Sequence, residues 1–374
     1  MKKLDISQVD ALFSNGSYPI EFLFYYRDVF KTDKMRRVLR GLSSSFWPLY
    51  GEYGDGTIFF DGYREEDYFV EEAVDQEIDI PGIDKNGFET YSRFRLPELK
   101  KLFFMKVIHF KNGLVLVPKM NHLAGDGYSY FYFLTVLAAL SRPTLVPLKS
   151  SLMKSLFKPH HRRTILKEFS FRGVRLEPPY PGGTSAVESE TMPRKDIQSV
   201  IREAASSGGL RISTNDVLSA LAIKKLVGRH SEAWGGKVGL TVPIDVRRRV
   251  GEYGQRFFGN SIMLHTLQLD KAHLERSPVR DIAVEIRRSM PTVSKETYID
   301  CLTGLEKILA EGRLDKFKPF DPSSGCLVTN LSRLPADKLD FGTGRPDFIL
   351  PLTVGRNSAG ILADANNYVL RFSL

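Results

Sequence analysis

Alternation and helical spacing divide this chain into short, mixed elements. Tyr18–Tyr26 is a strand-like apolar segment, whereas Thr32–Trp47 places Met35, Val38, Leu39 and Leu42 on one helical face with basic residues opposite. Pro48-Leu49-Tyr50-Gly51 stops that helix, and Thr57–Phe60 reads as a strand after a glycine-rich turn. Phe103–Phe110 and Leu114–Val117 flank Lys111-Asn112-Gly113, the turn of a predicted hairpin. Tyr128–Leu140 is apolar nearly all round, which predicts a helix buried on most sides and ended by Arg142-Pro143.

From Pro143 to about Thr191 the periodicity fades into Pro, Gly, Ser and basic residues, with 178–183 the least structured part. The mixture then resumes. Arg194–Ala205 is helical, Ser213-Thr214-Asn215-Asp216 caps a helix over Val217–Leu226, and Ser277–Met290 has helical spacing. Val238–Pro243, Ser261–Leu269, Cys326–Asn330, Phe348–Val354, Gly360–Ala363 and Tyr368–Leu374 read as strands. No internal repeat is visible. The pattern predicts an α/β (α+β) protein of two lobes, 1–145 and 191–374, each a mixed sheet with flanking helices, joined by a crossover over 146–190.

Composition agrees with two ordinary domains: 374 residues, 42% hydrophobic and 26% charged. The two cysteines, Cys301 and Cys326, stand in no metal-ligand or redox spacing, as expected in a reducing cytosol. Met1–Ser7 lacks an apolar signal core, and the densest apolar run, Phe131–Leu140, has about half the length a bilayer demands. The expectation is a soluble, cytoplasmic monomer with at most peripheral membrane contact. The net charge of +9 is unevenly distributed: Lys149, Lys154, Lys158, Arg162, Arg163 and Lys167 follow one another with no acid among them. Such a run suits phosphates or an acidic surface, and equally a solvated connector. Aromatic residues fall in core-like runs rather than among these cations, which argues against nucleic acid as a partner.

His122-Leu-Ala-Gly-Asp126-Gly127 carries the chemistry. It places an imidazole where a strand ends and a carboxylate at the turn that opens the next helix. Imidazole titrates nearest neutrality and is a natural general base for a hydroxyl or an amine. Of seven histidines, His122 alone is followed four residues later by an acid. The same residues also read as a structural histidine and an aspartate cap.

The segment resembles the HxxxDG motif of the coenzyme A-dependent acyltransferase superfamily, with its chloramphenicol acetyltransferase-like fold, and the motif order is nearest the BAHD branch. Leu39–Gly51 is similar to an early BAHD helix. Ile212–Ala220 resembles the helix start of the second lobe, and Val242–Arg249 its arginine-bearing strand end. Val328–Pro335 and Asp340–Pro346 are similar to the paired C-terminal motifs. These matches run in family order from residue 39 to 346.

The resemblance implies two lobes facing each other across a channel, with His122 as base and no bound cofactor or metal. An acyl-CoA would be the co-substrate and a small alcohol or amine the acceptor. It further implies that Asp126 pairs with an arginine of the other lobe, Arg247 by motif position with Arg249 the fallback. Gly127 would allow the close turn into the helix, and Thr329, Asn330 and Ser332 are candidate donors to the oxyanion. Asp340, Gly342 and Gly344 would be loop architecture. Asn121 stands where many members carry a second histidine, and Thr343 where BAHD enzymes carry tryptophan. Two other readings remain: condensation-type transfer from an acyl carrier protein, and a binding protein that keeps the fold without catalysis. Metal hydrolysis lacks a second histidine or acid at helical spacing.

Overall fold

The computed structural model describes residues 1–13, 19–85, 101–143, 158–161, 187–206, 210–229, 234–313, 316–352 and 355–373. In chain order the first half contains β1 (Lys2–Asp5), α1 (Gln8–Ala11), β2 (Pro19–Tyr26), α2 (Thr32–Leu42), β3 (Glu52–Gly54), β4 (Thr57–Phe60), β5 (Phe69–Ala73), α3 (Ile80–Lys85), β6 (Phe103–Phe110), β7 (Gly113–Asn121) and α4 (Gly127–Ser141). The second half contains β8 (Val187–Pro193), α5 (Arg194–Ser206), α6 (Thr214–Arg229), β9 (Lys237–Asp245), β10 (Ile262–Asp270), α7 (Lys271–Arg276), α8 (Val279–Ser289) and α9 (Lys295–Ala310). β11 (Gly325–Asn330), β12 (Phe348–Pro351), β13 (Ser358–Ala363) and β14 (Asn367–Ser373) complete it.

Alternation along β2 sorts its side chains between two layers. Phe22, Phe24 and Tyr26 enter the main core, while Leu23 and Tyr25 join Val115, Val117, Ile108 and Leu350 beneath the sheet. Helix α4 lies on the main-core side. Its Phe131 meets Phe22 edge-on with ring centroids 5.2 Å apart, and its Phe133 meets Phe103 at 5.1 Å. Each such fully buried aromatic contributes about 1.5–3 kcal/mol by leaving water. That burial gives the start of α4 a rigid seat.

The first sheet has the order β12-β2-β7-β6-β5 and the second β10-β9-β11-β13-β14-β8, with a small third sheet β1-β4-β3. The second core forms around α6, where Leu218, Ile223 and Leu226 pack with Leu240, Val328, Ile361 and Leu370. The expected two-lobed mixed α/β architecture holds. The halves also interpenetrate. β12 pairs antiparallel with β2 of the first sheet, and Val246, Val250, Tyr253, Phe257 and Phe258 enter the first core.

β8 begins inside the segment read as crossover and runs past its end at residue 190. It is an edge strand of mostly polar sequence, Val-Glu-Ser-Glu-Thr-Met-Pro, so it shows no apolar alternation. α9 is a further element outside those predicted, although Tyr298 and Leu302 sit at helical spacing and are buried. Of the basic run only Lys158 is described; Lys149, Lys154, Arg162, Arg163 and Lys167 lie outside the described residues. Among the described residues no helix is long and apolar enough to cross a membrane.

Candidate active site

β7 runs out at Asn121, and a tight turn follows. The amides of Ala124 and Gly125 donate to the carbonyls of Asn121 and His122 at 2.9 and 3.2 Å, and Leu123 N donates to Asn121 Oδ1 at 2.9 Å. Leu123 and Ala124 are buried, which pins the turn. Asp126 then caps α4 by accepting from Ser129 N at 3.0 Å.

The glycine this turn requires is Gly125 rather than the expected Gly127. A Cβ on Gly125 would stand 2.8 Å from Ser129 Cβ and 3.5 Å from Gly259 Cα. Gly127 has no positive φ, and a Cβ there would make only an ordinary contact with Leu334 Cδ1 at 3.7 Å.

The Asp126 carboxylate is buried in a nest of donors. Arg247 Nη1 reaches Oδ2 at 2.9 Å and Nη2 reaches Oδ1 at 2.7 Å, while Ser261 N donates to Oδ2 at 3.0 Å. This is a bidentate charge-assisted pair between side chains only 4% and 2% exposed. Burial pushes the Asp126 carboxyl up. The Arg247 charge and hydrogen bonds, with the amides of Ser261 and Ser129, outweigh burial and hold it below the usual carboxylate range. Arg247 Nη2 also donates to Ser129 Oγ at 2.9 Å and Gly259 O at 3.1 Å, and its guanidinium lies 4.3 Å over the Tyr128 ring. Asp126 therefore spends its charge on Arg247, clasping the His122 loop to the chain after β9. Arg249 is exposed.

His122 lies flat on Phe13, with ring centroids 3.7 Å apart and planes inclined by 16°. Its Nδ1 is buried and has no hydrogen-bond partner among the described residues, while the residue as a whole keeps partial exposure. Burial drives the imidazole pKa down. The charge of Asp126, the Asn260 amide and the charge of Asp10 pull upward without cancelling it. The ring is thus neutral at neutral pH.

Beside it stands Asn260, which sequence reasoning did not single out. Its Nδ2 donates to the His122 carbonyl at 2.8 Å and to Asp10 Oδ1 at 2.7 Å. Two signals for this cluster are present in the sequence. Ser7-Gln-Val-Asp10 has the spacing of a capping box, which α1 forms. Gly259-Asn260-Ser261 is a turn composition directly ahead of a strand.

The remaining predicted residues are bonded elsewhere among the described residues. Asn330 Nδ2 donates to Asn215 Oδ1 at 2.8 Å, and Asn330 Oδ1 accepts from Ser332 N and Oγ at 3.0 and 2.6 Å. Thr329 pairs with Gly360 in the sheet. None of the three hydrogen-bonds the His122 loop among the described residues. Asp340 Oδ1 accepts from Gly342 N and Gly344 N at 2.7 and 3.0 Å, and Asp340 Oδ2 pairs with Arg142 Nη2 at 2.9 Å. At Gly342, with φ of +118°, a Cβ would also fall 2.6 Å from Pro143 Cδ. This loop grips the C-terminal end of α4, as Arg247 grips its start. Among the described residues no group of three His, Cys, Asp or Glu side chains is placed to hold a metal ion.

A helix-borne Asp–Arg clasp between halves, with a neutral imidazole four residues before the acid, defines a class that comparison makes explicit. The model of the Transferase family matches residues 84–368. The chain belongs to that family, the BAHD acyltransferases, and by family it is an acyltransferase. It is 24% identical over 394 residues to shikimate O-hydroxycinnamoyltransferase of Nicotiana tabacum, covering 92% of this chain and 85% of that protein. Piperine synthase of Piper nigrum is 24% identical over 305 residues, covering 77% of this chain and 62% of the relative. In fold the chain is similar to F. graminearum TRI101, a structure complexed with coenzyme A and deoxynivalenol. The TM-score is 0.73 at 14% identity, over 100% of this chain and 95% of that one.

Proposed function

We propose that the protein moves an acyl group from an acyl-CoA thioester to a hydroxyl or amine, with His122 as the general base. The observation that carries this reading is the neutral imidazole of His122, held against Phe13 at the start of α4 while its neighbouring acid is consumed by Arg247. With Nδ1 enclosed, Nε2 is the nitrogen that takes the acceptor's proton. The acceptor oxygen or nitrogen then attacks the thioester carbonyl, a tetrahedral oxyanion forms, and its collapse breaks the carbon–sulfur bond. The departing thiolate recovers the proton from the imidazolium, so the enzyme returns unchanged. Fixing both substrates against the ring supplies a further part of the rate.

Two features of the family support the donor assignment: the match over most of the chain, and a structural neighbour that holds coenzyme A. The test is thiol release from a panel of acyl-CoA donors with mixed alcohols and amines, run beside His122→Ala. Release with the native chain and none with the variant is the expected outcome. Equal turnover by the two removes the mechanism.

A further inference from the structure

A histidine ring turns about a soft torsion, and in most functional histidines a hydrogen bond from the second ring nitrogen settles its direction. At His122 that bond is lacking among the described residues: Nδ1 is buried without a partner, and the Asp126 carboxylate is already bound by Arg247. What meets the ring instead is the face of Phe13, with centroids 3.7 Å apart and planes inclined by 16°. Two aromatic rings left to themselves favour offset or edge-on arrangements with centroids about 4.5–7 Å apart, so this flat, close pair is set by whatever holds each ring. Both holds are visible. Phe13 is buried just past α1, and its N–H donates to Asp10 O at 3.0 Å. The capping box closes α1 by Ser7 N to Asp10 Oδ2 at 2.8 Å and Asp10 N to Ser7 Oγ at 3.2 Å. Asn260 Nδ2 then donates both to Asp10 Oδ1 at 2.7 Å and to the His122 carbonyl at 2.8 Å. One amide thereby staples the backbone of His122 to the helix that carries Phe13, and this fixes the gap between the two rings.

We propose that Phe13 is a positioning residue for the reaction: lying flat against His122, it fixes the plane in which the imidazole presents Nε2 to the acceptor. A flat apolar face suits this task. Rotation about the His122 Cβ–Cγ bond would drive ring atoms into it, and it competes for neither nitrogen. A leucine or a methionine in its place fills space without offering a plane. α1 docks on α9 through Gln8 and Glu306, so the wall that Phe13 forms is braced from behind. Phe13 acts through the imidazole and takes no part in bond making.

The inference rests on His122 being the base, and its test separates the two claims. Protons lying over an aromatic face are shielded, so NMR of the His122 ring reads the stack without turnover, and kinetics are measured beside it. The native chain is expected to show the His122 ring protons upfield of an ordinary histidine, and Phe13→Leu to lose that shift. Phe13→Leu keeps a buried apolar side chain, yet it should lower kcat by about 10–100-fold with KM for the acyl donor unchanged, the scale of a misdirected reacting group. Phe13→Met, equally unable to lie flat, replaces the leucine variant if that one does not fold. Val9→Ala removes buried volume from the same helix and leaves Phe13 in place, so it should lower Tm and leave kcat within about twofold. Unshifted His122 protons in the native chain overturn the proposal. So does native turnover by whichever Phe13 variant folds, or a Val9→Ala loss of kcat equal to that variant's. Full turnover by His122→Ala would instead sink the base itself and leave the stack in place.

Discussion

Each half of the molecule opens a buried helix with an aspartate bound by an arginine, and the two arrangements differ in instructive ways. At the start of α4, Asp126 meets Arg247 from the chain after β9, and both side chains are almost wholly buried. At the start of α6, Asp216 meets Arg287 of α8 within its own lobe. Arg287 Nε and Nη2 lie 2.8 and 2.5 Å from Oδ2, and the arginine side chain is 33% exposed. Four residues before Asp126 stands an imidazole; four before Asp216 stands the buried Ile212. A buried Asp–Arg pair at a helix start is therefore architecture in both places. The two sites differ in what the preceding turn presents, an imidazole or an isoleucine, and in whether the clasp joins the two halves.

Breaking this contrast at its chemical end has the largest effect. His122→Ala should reduce thiol release by about 10²–10⁴-fold, the share of a positioned base, with Tm nearly unchanged. Next comes the clasp. Asp126→Ala leaves the buried guanidinium only the half-exposed Asp245 at 3.3 Å as a charged partner and should cost about 3 kcal/mol in denaturant unfolding, with activity falling alongside. Asp216→Ala leaves an arginine that water already reaches, and about 1–3 kcal/mol with turnover retained is expected. Equal losses at the two sites would erase the distinction.

The pH profile sharpens it further. Burial sets the His122 pKa below the ordinary 6.5, so the base form persists as pH falls through that value. The acid limb of kcat/KM should accordingly lie below 6.5, and a limb at or above it contradicts the buried ring. The smallest contrast is between two glycines of one turn. Gly125→Ala must displace Ser129 and should lose about 1–3 kcal/mol, whereas Gly127→Ala should stay within about 1 kcal/mol of the native chain, both by thermal or chemical melts.

Much of this was legible in one dimension. The period-two and helical spacings marked β2, α2, β6, β7 and α4, because each buries a continuous face and burial requires apolar residues at that period. β8 was illegible for the converse reason: an edge strand of exposed and half-buried polar residues carries no alternation. Within the site, His122, Asp126 and Arg247 were named from motif position, while Asn260 and Asp10 were not. Neither has a chemical pattern that separates it from a turn asparagine or a helix cap.

The order of residues alone determined the class of fold and the identity of the imidazole and its neighbouring acid, because these depend on local spacing and residue chemistry. Only the tertiary structure decided what those groups do with their charge. Contacts between residues 126 and 247, or 10 and 260, are made by chain closure across the two halves. Burial then lowers the His122 pKa and the Arg247 pair lowers that of Asp126 against burial, and both are properties of the packed molecule rather than of any segment.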